Sequence, residues 1–278
     1  MVTRKSTARA TSDADGGREK SGGQPLVTGL LRGLAVLRCF DHGRERLGSS
    51  EIARMTGLPQ PTVWRLCKTL EHGGYLTADP DGARFRPGLS ILTLGYSALD
   101  TLELAELSRP LLEDIAQRFK GAASLSTREG TSMLYLQRCE APRAFLKLNV
   151  RVGSEVPIIS SGTGWGYLAG LSPALRKETM QACRKADPTL YKSVEKQALE
   201  AIGNYPRDGY VTNVDTFFPG LSTVSIPLSA PNSSTPYVLI CTSATPVFAP
   251  ASVRREAGDA LIAAANQLRP VIERLERE

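Results

Sequence analysis

From Leu26 to Phe40 the apolar residues fall at Leu30, Leu31, Leu34, Val36, Leu37 and Phe40. Steps of three and four predict a helix with one apolar face. A turn at His42-Gly43-Arg44 separates it from a second, short helical run that includes Ile52-Ala53-Arg54-Met55, with Ser49 or Ser50 as N-cap and Gly57 closing it in the left-handed conformation. A third helical pattern opens near Gln60, directly after Leu58-Pro59. Pro61 is tolerated in its first turn, where a missing N–H loses no intrahelical partner. His72-Gly73-Gly74 stops this helix. Tyr75-Leu76-Thr77 and Arg84-Phe85-Arg86 then read as short strands around Asp79-Pro80-Asp81-Gly82, a turn with Asp-Gly at its centre.

Two helices of roughly eight and twelve residues, joined by a tight Gly-containing turn and followed by a hairpin, describe a winged helix-turn-helix. Pro87-Gly88 closes that module. Leu89, Leu92, Leu94 and Leu99, then Leu102, Leu107, Leu111, Leu112, Ile115 and Phe119, predict one broken or two consecutive helices over 89–121, a linker between domains and a possible dimer contact. Beyond Gly121 the texture changes. Residues 122–127 and 133–137 flank the turn Arg128-Glu129-Gly130 as a hairpin, and 145–150 reads as a further strand. Ser161-Gly162-Thr163-Gly164 leads into an apolar helix from Trp165 to Leu171. Helices follow at roughly 173–186 and 192–205, strands at 209–211, 222–228 and 237–243, and a last helix from about Pro250. Residues 122–278 thus form one α/β domain on a mostly antiparallel sheet, and the whole chain is α+β.

Composition sharpens this picture. The 278 residues suggest two domains, and no run approaches 18 uncharged apolar residues, so no membrane span is expected. Residues 1–25 contain no apolar run that could be a secretory signal, and their small polar composition predicts a disordered arm. The five cysteines are scattered and form no C-x-x-C pair, which fits a reducing cytoplasm and no structural zinc. Only two histidines, His42 and His72, are present. Neither a Ser-His-Asp triad nor a histidine-rich metal centre can be assembled, so no catalytic residue, metal or cofactor is expected. Gly162-Thr163-Gly164-Trp165-Gly166 lacks the third glycine of a dinucleotide fingerprint, because Tyr167 stands in its place.

Charge divides unevenly. Residues 1–87 hold 14 Lys and Arg against 9 Asp and Glu, a net of +5, while 88–278 hold 20 against 19. An anion-binding module attached to a near-neutral domain is the reading. On a wheel of residues 60–70, Val63, Leu66, Cys67 and Leu70 form the core stripe. Pro61, Trp64, Arg65 and Lys68 lie opposite, with Gln60, Thr62 and Thr69 at the edges. The second helix of such a pair enters the major groove of double-stranded DNA. Gln60, Thr62 and Arg65 carry chemistry that reads base edges, Trp64 can pack on a thymine methyl or a sugar, and Lys68 suits a phosphate. Ser50, at the head of the preceding helix, joins this set. Arg84 and Arg86, on the wing, could reach a flanking minor groove or the backbone.

Ser50-Glu51-Ile52-Ala53, Gly57-Leu58-Pro59, Thr62-Val63-Trp64-Arg65-Leu66, Leu70-Glu71, Gly74-Tyr75-Leu76 and Arg84-Phe85-Arg86-Pro87-Gly88 together resemble the N-terminal domain of IclR-type bacterial transcriptional regulators. The likeness continues in Arg151-Val152-Gly153, Ser161-Gly162-Thr163-Gly164, Gly209-Tyr210 and Pro219-Gly220, and covers about 26–276. It implies a winged helix, a linker helix and a GAF-like effector-binding domain, no membrane association, and homodimers or dimers of dimers on a pseudo-palindromic operator. It also implies a small organic acid as effector, bound by Ser161, Gly162, Thr163, Asn213, Thr223, Thr242 and Ala244. Free N–H groups at a helix start favour an anion, and Gly162 and Gly164 would let a carboxylate approach the backbone. The sequence departs from the family where a basic residue is common and Trp165 stands, where a cysteine is common and Thr223 stands, where paired acidic residues are common and Asp215-Thr216 stand, and where two serines are common and Thr242 and Ala244 stand. Trp165, Phe217 and Phe218 point to an aromatic carboxylate, with short keto or hydroxy acids as the alternative, and hence to the regulator of a catabolic operon.

Overall fold

The computed structural model describes residues 26–40, 44–100, 103–145, 148–229 and 236–275. The expected arm at 1–25 and His42-Gly43 of the first turn lie outside them. The chain divides into two compact units, Met1–Ser90 and Ile91–Glu278.

In the first unit, helices α1 (Thr28–Leu37), α2 (Ser49–Thr56) and α3 (Gln60–His72) pack with three antiparallel strands, β1 (Leu47–Gly48), β2 (Leu76–Ala78) and β3 (Arg84–Pro87), in the order β1-β3-β2. Their common core is Val36, Cys39, Leu47, Ile52, Val63, Cys67, Leu76 and Phe85. Burial pushes the Cys67 thiol up to about 11, so it behaves as a small apolar side chain. The wheel of α3 is reproduced, with Val63 and Cys67 buried. That of α1 is corrected. It buries only Gly33 and Val36, while Leu30, Leu31 and Leu34 stay exposed. So small a core has room for a single stripe of α1.

The start of α2 also differs from expectation. Its N-cap is Gly48, and Ser49 and Ser50 are the first helical residues. The Glu51 carboxylate accepts the Gly48 N–H at 2.7 Å, so the acidic residue of the first turn reaches back to the cap. Gly48 and then Arg84 hold the Glu51 carboxyl below its ordinary pKa. Gly57 closes α2 at φ 69°, as read from the sequence.

The second unit is a six-stranded antiparallel sheet in the order β6-β5-β4-β9-β8-β7. The strands are β4 (Ala122–Glu129), β5 (Ser132–Glu140), β6 (Glu155–Pro157), β7 (Val211–Val214), β8 (Leu221–Leu228) and β9 (Tyr237–Ala244). Helix α4 (Ser90–Asp100) precedes it. Helix α5 (Glu103–Arg118), expected to be part of the linker, buries Leu104, Leu112 and Ile115 in one of the two cores of this unit. Its apolar stripe is therefore a core face of the domain, shared with α10 (Ala251–Leu275). The opposite sheet face carries α6 (Gly162–Gly170), α7 (Pro173–Ala186) and α8 (Pro188–Asp208). The described residues of 145–150 form no strand; the edge strand is β6 instead. Among the described residues no helix is long and apolar enough to cross a membrane.

Candidate nucleic-acid interface and ligand site

The outward side of α3 and the β2–β3 turn enclose a groove of about 640 Å³, lined by Ser49, Gln60, Pro61, Trp64 and Arg65 on one side and Asp81, Gly82 and Ala83 on the other. The structure so brings four of the sequence-predicted contacts, Gln60, Pro61, Trp64 and Arg65, to one concavity. Trp64 is 40% exposed. Its ring meets Phe85 edge-on at a centroid distance of 5.7 Å, and the Lys68 ammonium lies 5.7 Å from its centroid. The indole is thus braced by the wing. Arg65 is exposed, and its guanidinium has no partner among the described residues.

Other predicted contacts have intramolecular work. The Gln60 amide donates to Ser49 Oγ at 2.9 Å, tying the head of α3 to α2. Lys68 pairs with Glu71 along the same helix. Arg84 donates to the Arg46 carbonyl at 2.9 Å and pairs with Glu51 at 3.2 Å, which anchors the wing strand to the start of α2. Thr62 is half-buried, and Ser50 and Arg86 are exposed.

The second site lies where α6 crosses the sheet. Gly162, Gly166 and Gly170 recur every four residues and face β8. A Cβ on them would fall 1.8 Å from Thr223 Oγ1, 2.7 Å from Ser225 Oγ and 2.5 Å from Pro227 Cβ. A Cβ on Gly164 would fall 2.0 Å from the Ile158 carbonyl oxygen. The glycines therefore let the helix lie against the chain's own strands and loop, and the bare backbone expected for a ligand at Gly164 is already in contact with Ile158. Ser161 is the N-cap: its hydroxyl accepts the Gly164 N–H at 3.1 Å and donates to the Pro157 carbonyl at 2.7 Å.

Strand register places Asn213, Thr223 and Thr242 directly opposite one another, in one row on the α6 face. The Asn213 amide donates to the Ser160 carbonyl at 3.2 Å. Thr163, fully buried, shares a 2.5 Å hydrogen bond with Ser126, a partner that sequence reasoning missed. Ala244 is half-buried one step further along β9. Thr223 is only 4% exposed, and its hydroxyl has no hydrogen-bond partner among the described residues. A buried hydroxyl left unpaired costs about 1–3 kcal/mol, so the structure retains it at a price. Trp165 does not wall this row: it is buried in the α6–α8 core, with its indole N–H donating to the Ile159 carbonyl at 2.6 Å. Phe217 packs half-buried against the same core, and Phe218 is exposed.

Comparison with known proteins covers both units. Residues 29–80 match the IclR helix-turn-helix domain, and residues 96–269 match the bacterial transcriptional regulator IclR C-terminal domain. The chain is 31% identical over 217 residues to the HTH-type transcriptional regulator TsaQ1/TsaQ2 of Comamonas testosteroni, covering 78% of each chain. It is 24% identical over 257 residues to the p-hydroxybenzoate hydroxylase transcriptional activator of Acinetobacter baylyi, covering 90% of this chain and 93% of that one. Among solved structures, an IclR family transcriptional regulator from Brucella abortus superposes with a TM-score of 0.80 at 28% identity, over 92% of this chain and 96% of the other. The matches to both domains of the family and to a relative at 31% identity place this chain in the IclR family of bacterial transcriptional regulators.

Proposed function

We propose that this regulator controls a catabolic operon in response to an aromatic carboxylate, which binds on the α6 face of the sheet and resets operator affinity. One observation carries the reading: the unpaired, buried Thr223 hydroxyl lies against the head of α6, where the first-turn N–H groups of Gly162 and Thr163 have no intrahelical acceptor. Donors gathered in this way suit an acceptor oxygen of the ligand. The relative from Acinetobacter baylyi, named for p-hydroxybenzoate hydroxylase, supports an aromatic ligand over a short keto or hydroxy acid.

Thr223→Val tests this directly. The hydroxyl makes no hydrogen bond among the described residues, so its removal is expected to leave the melting temperature unchanged or slightly raised. Effector-induced thermal stabilisation should nevertheless fall in a screen against aromatic and aliphatic acids, because a ligand that binds only the folded state raises its melting point. A variant that responds to the same acids as the parent does removes Thr223 from the site.

On the DNA side, we propose that Gln60, Thr62, Trp64 and Arg65 face base edges and that Lys68, Arg84 and Arg86 face the backbone, with Ser50 and Pro61 at the margin of the contact. Binding to the promoter fragment is expected to weaken by orders of magnitude between about 50 and 200 mM salt, since each phosphate contact releases counterions. A flat salt response in fluorescence anisotropy speaks for a protein-interaction role of the winged helix instead. The uncovered leucines of α1 support a homodimer, or a dimer of dimers, on a pseudo-palindromic site. The effector then acts by favouring one of two arrangements of the paired winged helices.

A further inference from the structure

The row that holds Asn213, Thr223 and Thr242 continues across the sheet to Ala122 and then Glu140. Two residues along, Ser124 stands opposite Arg138. Side chains two apart on a strand share a face, so Arg138 lies on the same side of the sheet as Thr223. Its side chain is 7% exposed. Nη2 meets Glu140 Oε2 at 3.2 Å, and Nη1 donates to Ser124 Oγ at 3.5 Å. A guanidinium has five N–H donors, and these two long contacts are the only ones its head group makes among the described residues. A cation so nearly buried needs fuller pairing than one carboxylate oxygen and one hydroxyl supply. Among the described residues this sheet face thus carries a cation at one end and the Thr223 hydroxyl at the other, each with spare hydrogen-bonding capacity, and the Tyr167 hydroxyl of α6, packed on the same face, is likewise buried without a partner.

Resting on the reading of this face as the effector site, we propose that Arg138 is the charge partner of the effector's carboxylate, that Glu140 is the internal carboxylate it displaces, and that Thr223 takes a second polar group at the ligand's far end. The spacing selects the ligand. The guanidinium lies between Ser124 on β4 and Glu140 on β5, while Thr223 is on β8, two strands beyond β4, so roughly 10 Å of sheet separates the two ends. Ala122, with the smallest side chain of the row, and Thr242 lie between them. A benzoate with a polar para substituent spans such a separation with a rigid ring. A two- or three-carbon keto acid can satisfy only one end. The guanidinium fork matches a carboxylate with two parallel hydrogen bonds, which an ammonium cannot reproduce.

Calorimetric titration of the full chain tests the proposal, with 4-hydroxybenzoate and 4-aminobenzoate as probes, the matching benzamides as neutral isosteres, and pyruvate as the short acid. The parent is expected to bind a benzoate at least about 10-fold tighter than its benzamide and than pyruvate. Arg138→Gln should weaken the benzoate about 10- to 100-fold with the benzamide unchanged, so that the preference disappears, and Arg138→Lys should restore only part of it. Glu140→Gln, which removes the competing carboxylate, should tighten the benzoate several-fold, an effect that a purely structural ion pair does not give. A parent that binds neither benzoate, prefers pyruvate, or fails to distinguish acid from amide overturns the proposal. So does an Arg138→Gln protein that keeps the preference. If that variant behaves as the parent while Thr223→Val loses the ligand, the effector site stands and Arg138 has no part in it. If neither variant changes binding, both readings fall. Should Arg138→Gln not fold, the parent's acid-amide comparison and Glu140→Gln decide.

Discussion

Arg65→Ala is expected to erase most of the discrimination between the promoter fragment and unrelated DNA. Arg65 sits on the outward face of α3, at the groove shared with the wing, and its guanidinium is held by no other described residue. It is therefore available to pair with a base edge, and the loss of one such bidentate pair costs about 1–3 kcal/mol, or roughly 5- to 150-fold in affinity for the preferred site. Binding to scrambled DNA should change far less. Arg86→Ala gives the contrast: without its charge on the phosphate backbone, both DNAs should bind more weakly to the same degree, with a salt slope lower by about one. Because the Arg65 side chain makes no bond among the described residues, the melting temperature of its alanine variant should stay within the small range of surface substitutions. Anisotropy titrations with both fragments give the ratio directly. An alanine variant that retains the parent's preference removes Arg65 from the reading face.

Gly164→Ala is expected to have the largest effect on stability. The new Cβ would lie 2.0 Å from the Ile158 carbonyl oxygen and 2.4 Å from its Cα. Both are backbone atoms, so no rotamer change relieves the clash. The loop can retreat only by dislodging Pro157, whose carbonyl holds the Ser161 cap. Overpacking costs about 1–3 kcal/mol where side chains can adjust, and a backbone collision belongs at the upper end or beyond. For a domain of this size that lowers the melting temperature by roughly 6–12 °C. Gly203→Ala is the control. Gly203 lies within α8 with nothing within 4 Å of its Cβ position, so the same substitution should stabilise by about 0.5–1 kcal/mol through the lower entropy of the unfolded chain. Calorimetry of the two variants should show opposite signs. Equal shifts would mean that α6 does not approach the 158 loop this closely.

The local patterns of this chain determined a good deal without the tertiary structure. The α2–α3 pair, Gly57 as the left-handed stop, the core stripe of Val63 and Cys67, and the wing around Asp79-Pro80-Asp81-Gly82 were all legible, because caps, periodicity and turn chemistry act over a few residues. The charge imbalance and the ordered motifs pointed to DNA and to the family for the same reason. What the tertiary structure alone decided concerns partners distant in sequence. Gly48, and not Ser49 or Ser50, caps α2 because Glu51 turns back to it while also pairing with Arg84 on the wing strand. The α5 stripe is a core face because β4 and β5 happen to cover it. Trp165 packs inward, and Gly164 is closed by Ile158 rather than left open for a ligand. Arg138 gave no signal in the sequence, where it is one more cation in a strand. Only the register of four antiparallel strands, β5, β4, β9 and β8, puts it on the same surface as Thr223, and that register is a long-range property set by how the two sheet faces are packed.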